Sequence, residues 1–299
     1  MISELTEGLQ INETLLLISG ENKTGKTGVY GSGYLSDQSG RIPFRIWETE
    51  IDLDLIGQAV KVVGTSVKFN DELQIKCTSL VLDTETNPLS LLPHSKSSDE
   101  KLHAAYLELK GWIKTDWIQR LLEETIEKDP RYFTHPAAKT VHQAFIGGLA
   151  EHSEKVALVG YRASSVYPAD YVNKDIVVAA GLLHDIGKLD ELKDPPEFDY
   201  TLKGDMLGHP LLGAMRVEAA KAKIDGVDER DYLKLIQCII SHPGTPEFGA
   251  IQPCKCAEAM IVNAADLVDS KVEQIIELKD THPEEESSSS RFLGGRVMF

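Results

Sequence analysis

Cysteine, positive charge and long apolar runs are all scarce in this chain of 299 residues. Four cysteines, Cys77, Cys238, Cys254 and Cys256, are too few for a disulfide framework and suit a reducing compartment. The longest apolar runs, such as Thr14–Ile18 and Ile176–Leu183, fall far below the ~20 residues needed to cross a bilayer, so no membrane association is expected. MISELTEGLQ lacks a basic start followed by an apolar stretch, so no secretory signal is expected and a cytoplasmic location is. Lys and Arg number 31 against 47 Asp and Glu, a formal net charge of −16. The deficit is spread along the chain: residues 1–98 carry 8 basic against 13 acidic residues, and residues 99–299 carry 23 against 34. Such a surface argues against tight nonspecific duplex binding, which needs many neutralised phosphates. It leaves room for a local cationic centre that holds a phosphate.

What is present describes a globular protein. Hydrophobic content of 42% with 26% charged residues excludes wholesale disorder, and the length suggests about two domains. Residues 1 to about 83 read as β structure, with strands at Leu15–Ser19, Val29–Leu35, Arg41–Trp47, Val60–Thr65 and Leu73–Leu82 between Gly, Asn and Asp punctuation. Asp37–Gly40 forms a turn, and in Arg41–Trp47 the residues Ile42, Phe44 and Ile46 face opposite to Arg41, Arg45 and Trp47. Five strands in about eighty residues fit a Greek-key barrel of the OB type. Residues 87–98, with two prolines and four serines, read as a linker between a barrel over 1–86 and an α-helical domain over 99–299. Helices are expected at Leu102–Leu109, Ile113–Lys128, from Pro136 to about Ser165, at Ile176–His184 capped by Asp175, and at about 209–222, 228–241 and 256–279. Glu197–Met206 is expected to be a hairpin or loop. The C-terminal Arg291–Phe299, apolar after the low-complexity run Glu284–Ser290, is expected to dock on its own domain or on a neighbouring copy in a homo-oligomer.

One motif is misleading. Gly20–Thr27 (GENKTGKT) matches the phosphate-loop pattern letter for letter. That loop works only where it ends a strand and opens a helix, so that backbone N–H groups meet the phosphates. The segment that follows, GVYGSGYLSD, has three glycines and no helical pattern, so Gly20–Thr27 reads as a polar strand-to-strand loop and Lys26 as dispensable.

The chemistry concentrates in the helical part. His152, the adjacent pair His184-Asp185, His209, His242 and Asp266 each fall on or at the end of a separate expected helix, so a bundle can aim them at one centre. Imidazole with carboxylate suits Mn²⁺, Fe²⁺, Co²⁺, Ni²⁺ or Zn²⁺. An adjacent His and Asp offer one nitrogen and one carboxylate able to bridge two ions, the arrangement that activates water for in-line phosphoryl displacement. Lys188, one turn beyond Asp185, lies on the same face and can place its ammonium on a substrate phosphate. Asp269, three residues after Asp266, can orient a ligand or remain a solvated carboxylate. Phe248 lines the mouth of the site or packs in the core. Cys254 and Cys256 have no partner pair at zinc-finger spacing and read as an inert reduced pair in a loop. On the barrel, Tyr30 and Tyr34 with Arg45 and Trp47 form an aromatic and cationic platform for single-stranded nucleic acid if they point outward; small barrels also bury such rings.

These residues carry a resemblance. His152, His184-Asp185 and Asp266 resemble the ligands of the HD metal-dependent phosphohydrolase superfamily. PAAKTVHQAFIGGLAEHS (136–153), GLLHDIGKLDEL (181–192), YTLKGDMLGHPLLG (200–213), SHPGTPEFGA (241–250) and NAADLVDSKV (263–272) are similar to the YhaM-type 3′→5′ exoribonucleases, which also place an OB-fold before the HD domain. GYLSDQSGRIPFRIWE (33–48) resembles the strand–turn–strand segment of that barrel. The resemblance implies a manganese-favouring enzyme that removes nucleotides from the 3′ ends of single-stranded RNA, with DNA as a second possible polymer. It implies one or two divalent ions, with Fe²⁺, Co²⁺, Ni²⁺ or Mg²⁺ as substitutes for Mn²⁺. His152, His184, Asp185 and Asp266 would hold the first ion, Asp185, His209 and His242 the second, and Lys188 would contact phosphate. Two departures stand out: His242-Pro243 replaces a His-His of the family, and His142-Gln143 replaces another. Two other readings stay open, a phosphohydrolase of small or cyclic nucleotides and a nucleic-acid-binding protein with a degenerate HD site.

Overall fold

Alternation in the first eighty residues produces a closed five-stranded barrel. The computed structural model describes residues 1–299 except 26–27, 70–71, 139–144, 197–198, 282 and 291–292. Its strands are β1 (Gln10–Gly25), β2 (Gly28–Asp37), β3 (Gly40–Trp47), β4 (Ala59–Phe69) and β5 (Glu72–Leu82), closed in the order β1-β2-β3-β5-β4. Neighbours are antiparallel except β3 and β5, which run parallel, so this is an OB-type Greek-key barrel. Period-two patterning puts Leu15, Leu17, Leu35, Ile42, Phe44, Ile46, Val60, Val62 and Ile75 inside. The Asp37–Gly40 turn is held by Asp37, whose carboxylate accepts from the Ser39 N–H (2.7 Å) and, from across the barrel end, the Ile2 N–H (2.7 Å).

Gly20–Gly25, the first part of the phosphate-loop match, is strand rather than loop. Those residues pair with β2 from Gly20↔Gly33 to Gly25↔Gly28. Asn22 is locked by two hydrogen bonds with the Ile51 backbone, accepting from its N–H (2.8 Å) and donating to its carbonyl (2.9 Å). No helix follows, and Lys26 and Thr27 lie outside the described residues.

Clustering of the chain separates Met1–His94 with residues 194–197 from a second unit, Ser95–Lys193 with Phe198–Phe299. The second unit is helical: α1 (Asp99–Trp112), α2 (Asp116–Leu122, extended by a wider turn over Glu123–Glu127), α3 (Gly148–Ser164), α4 (Lys174–Leu183), α5 (Lys188–Glu191), α6 (Leu202–Leu207), α7 (His209–Lys221), α8 (Glu229–Ser241) and α9 (Ala257–Thr281). α4 is buried on every side from Ile176 to Leu183, as a helix apolar all round must be, and forms the axis on which α3, α8 and α9 pack.

Four expectations are corrected. The helix expected from Pro136 begins instead at Gly148, because Gly147 takes φ 83° and breaks any helix running into it. Asp175 does not cap α4. Asn173 does, accepting from the Asp175 N–H (3.0 Å), while the Asp175 carboxylate binds the Lys114 and Thr115 N–H groups (2.9 and 2.8 Å) at the α1–α2 corner. Within 197–206, residues 202–206 are helical, capped by Thr201 Oγ1, which accepts from the Gly204 N–H (2.9 Å). The serine run is strand: β6 (Ser287–Ser290) pairs with β7 (Gly295–Met298), so the described part of the tail folds back on its own chain. His142, Gln143, Arg291 and Phe292 lie outside the described residues.

Candidate metal centre

Six chain segments deliver polar side chains to one point. His152 comes from the middle of α3, and His184 and Asp185 from the end of α4. Lys188 opens α5, His209 opens α7, His242 caps α8, and Asp266 lies on α9. Gly187 makes the meeting possible. A Cβ there would lie 2.0 Å from the His209 carbonyl oxygen, so only glycine lets the start of α5 touch the start of α7.

The ring orientations follow from backbone needs. The last carbonyls of a helix lack partners within it. His184 Nδ1 lies 2.8 Å from the Gly181 carbonyl, and His242 Nδ1 lies 2.8 Å from the Ile239 carbonyl, so each ring satisfies one such group. His152 Nδ1 faces Asp269 Oδ2 at 2.7 Å, and His209 Nδ1 faces Glu191 Oε1 at 3.0 Å. All four partners are oxygens that only accept, so all four Nδ1 atoms carry the hydrogen. In the neutral rings all four Nε2 atoms therefore present lone pairs.

Those lone pairs converge. His152 and His184 Nε2 are 3.1 Å apart, and His209 and His242 Nε2 are 3.3 Å apart. Asp185 lies between the two pairs. Its Oδ2 is 3.5 Å from His152 Nε2 and 3.4 Å from His184 Nε2, and its Oδ1 is 3.3 Å from His209 Nε2 and 3.4 Å from His242 Nε2. Asp266 Oδ1 completes the first group at 3.2 Å from His152 Nε2. Asp185 Oδ1 is buried and has no hydrogen-bond partner. Lone pairs facing one another at these separations repel unless a cation lies among them. Adjacent ligands of a four- or six-coordinate ion with bonds of about 2.1 Å stand roughly 3.0–3.4 Å apart, which the observed spacing matches. The residues present thus fit a divalent ion in the group of His152, His184, Asp185 and Asp266. The group of Asp185, His209 and His242 offers a second position, with the Asp185 carboxylate shared.

Electrostatics point the same way. Asp185, Glu191, Asp266 and Asp269 face a single ammonium, that of Lys188, whose Nζ lies 2.6 Å from Asp185 Oδ2. Burial opposes ionisation of Asp185, but Lys188 and the imidazoles of His184 and His242 outweigh it and hold the carboxyl well below its ordinary value. Asp266 is lowered against the same burial by His152 and its neighbours. His152 is pushed up to about 9, because Asp266 and Asp269 more than offset the cost of burying a charged ring. His242 goes down, since burial and the nearby His184 outweigh Asp185. The pocket is short of positive charge.

The residues singled out on the helical part are therefore brought together, and Asp269 is the orienting partner of His152. Glu191 escaped the sequence reading: it accepts from both the backbone N–H (2.8 Å) and the ring of His209. No spacing rule links it to His209, 18 residues on. Pro243 lines the same cavity of about 480 Å³, as does Phe248, which is exposed rather than in the core. The His242 carbonyl before Pro243 accepts from Asn263 Nδ2 (2.7 Å). Cys254 and Cys256 pack against the helical core, with Cys256 immediately before α9.

On the barrel, the register pairs Tyr30 with Trp47, Ser32 with Arg45 and Tyr34 with Pro43, which puts all six on one outward face. The Tyr30 and Trp47 rings are 5.0 Å apart, and Tyr34 and Trp47 are 46% and 42% exposed. Arg45 lies over the ring of Phe69 at 4.6 Å, a contact absent from the sequence reading, and Lys76 pairs with Arg45 from β5.

With this geometry in place, comparison with known families is decisive for the class. Residues 149–271 match the HD domain family, a span that contains all six converging residues and Lys188. The chain thus joins an N-terminal OB-type barrel to a helical HD domain, whose members bind divalent metals and are metal-dependent phosphohydrolases. No solved structure matches the chain. Among the described residues no helix is long and apolar enough to cross a membrane.

Proposed function

We propose that this protein is a metal-dependent 3′→5′ exonuclease that hydrolyses single-stranded RNA to nucleoside 5′-monophosphates, with Mn²⁺ as its favoured ion and DNA as a poorer polymer. The observation that carries the reading is the Asp185 carboxylate shared between two imidazole pairs at the base of an open cavity. Such a donor set matches two-ion phosphodiester hydrolysis. The aromatic and cationic barrel face supports a single-stranded polymer, because bases stack on such surfaces without sequence preference. The direction of degradation and the choice of manganese rest on the resemblance of the motifs at 136–153, 181–192, 200–213, 241–250 and 263–272.

Divalent ions held at the centre would supply an activated water and neutralise phosphoryl charge. The chain does the rest. Asp269 and Glu191 fix the rings of His152 and His209, so the donor atoms need no reorganisation. Lys188 keeps its charge, since Asp185 outweighs the burial that would remove it, and offers an ammonium to a non-bridging phosphoryl oxygen. In the reaction a water oxygen bonds to phosphorus and the bond to the 3′ oxygen of the penultimate nucleotide breaks. That oxygen takes a proton from solvent, and the water's own proton is released.

Purified protein with Mn²⁺ and 5′-labelled single-stranded RNA tests this. A ladder that shortens one nucleotide at a time, lost in Asp185→Ala with RNA binding retained, is the expected result. Hydrolysis of small or cyclic nucleotides without RNA trimming, or tight RNA binding without turnover, would refute it.

A further inference from the structure

We infer that Phe248 forms a nucleobase subsite at the mouth of the metal centre, stacking on the base of the nucleotide being removed; the inference rests on the phosphodiester reading of that same site. Phe248 is 77% exposed, although it stands six residues after His242 in a tightly built loop. The loop is not slack. The Thr245 carbonyl accepts from the N–H groups of Phe248 and Ala250 (both 3.0 Å), and the Ile251 N–H returns to the Ile240 carbonyl (2.9 Å). A backbone held this firmly presents its ring to solvent as a fixed feature. The ring lines the same cavity as the imidazoles and carboxylates, and Leu267, 55% exposed on α9, lines it as well.

The cavity therefore has two chemical halves. Its base is built for phosphoryl oxygens, with His152, Asp185, His209 and Lys188; its lip is aromatic and aliphatic. A ligand that matches both carries a phosphate joined to a flat apolar ring, which a nucleotide does and a sugar phosphate does not. A stacked base is read by its face, which every base has, so the subsite tolerates sequence.

The test is equilibrium binding of AMP, UMP and ribose 5-phosphate to the full-length protein with Mn²⁺, for the native chain, Phe248→Ala and Phe248→Trp. AMP should bind about 5- to 100-fold more tightly than ribose 5-phosphate, with UMP closer to AMP than to the sugar phosphate. Phe248→Ala should erase that preference while leaving ribose 5-phosphate affinity and metal content unchanged, and Phe248→Trp should keep it. On RNA, Phe248→Ala should raise KM more than it lowers kcat. An undiminished preference in Phe248→Ala, or an equal loss for AMP and ribose 5-phosphate, overturns the subsite. If RNA is not trimmed but the preference is present and depends on Phe248, the exonuclease reading fails while the subsite stands.

Discussion

Replacing Asp185 by Asn tests the metal centre without changing its shape. The carboxylate contributes one oxygen to each imidazole pair, and Oδ1 has no hydrogen-bond partner. Asn keeps the volume but puts a neutral amide, half of it a donor, among lone pairs. Ligand binding to the native state stabilises it by RT ln(1 + [L]/Kd), about 2.7 kcal/mol at 100 times Kd. For a unit of some 200 residues each kcal/mol moves the midpoint by roughly 2–4 °C. Mn²⁺ at that excess should raise the melting of the helical unit by about 5–10 °C in the native protein and by far less in Asp185→Asn. Thermal melts with and without chelator, followed by far-UV circular dichroism in the helical bands, report the difference. An equal shift in Asp185→Asn, or none in the native protein, would mean that the ions bind elsewhere or not at all.

Metal uptake should release protons, because His152 in the metal-free protein titrates near 9 and must be neutral to ligate. Below that pH the apparent affinity should fall about tenfold per unit, and calorimetry in buffers of different ionisation enthalpy checks it. Glu191→Ala should weaken activity or metal affinity about 10- to 100-fold by freeing the His209 ring, with Glu191→Gln recovering part of the loss because its carbonyl still accepts. Asp129 is held at about 2 against burial by Arg131 and Arg216, so it contributes stability above pH 4 that disappears as pH falls from about 4 to 2. That share is about 2 kcal/mol, and urea midpoints for Asp129→Asn should show it missing at pH 6 and the variants converging near pH 2. Trp47→Ala and Tyr34→Ala should each weaken single-stranded RNA binding by about 1–3 kcal/mol in fluorescence titrations, with hydrolysis of dinucleotides unchanged.

The strands were legible because their period is two and their ends are marked. Ile42, Phe44 and Ile46 are buried where alternation places them, and the observed strands differ from the expected ones mostly by extension at their ends. Rejecting the phosphate loop depended on the same pattern, since alternation continues past Gly20. The helix boundaries failed where local chemistry was ambiguous. Pro136 is a permissible first-turn residue, but permission is not nucleation, and the left-handed Gly147 ten residues on decides where α3 starts. Asp175 has the right side chain for a cap, yet Asn173 two residues earlier is equally suitable and leaves Asp175 for the α1–α2 corner. Leu202–Leu207 is too short to show a period, and its helix depends on Thr201 and on packing against α5.

The centre divides along a similar line. Side chains that point at one place recur as His, Asp and Lys in a recognisable order, so His152, His184, Asp185, Lys188, His209, His242 and Asp266 were readable. The groups that fix their protons were not, because a hydrogen-bond acceptor for Nδ1 can be any oxygen nearby: a carbonyl for His184 and His242, a carboxylate for His152 and His209. That difference bears on Pro243. A proline after the helix cap removes an N–H and a possible imidazole, but His242 is oriented by the Ile239 carbonyl of its own helix, which the proline does not touch. On the opposite side of the second group, Glu191 grips His209 through both ring and backbone. The position with fewer ligands is thus the one whose remaining rings are fixed independently of the lost residue, and this makes weakened occupancy a more economical consequence of Pro243 than a collapsed site.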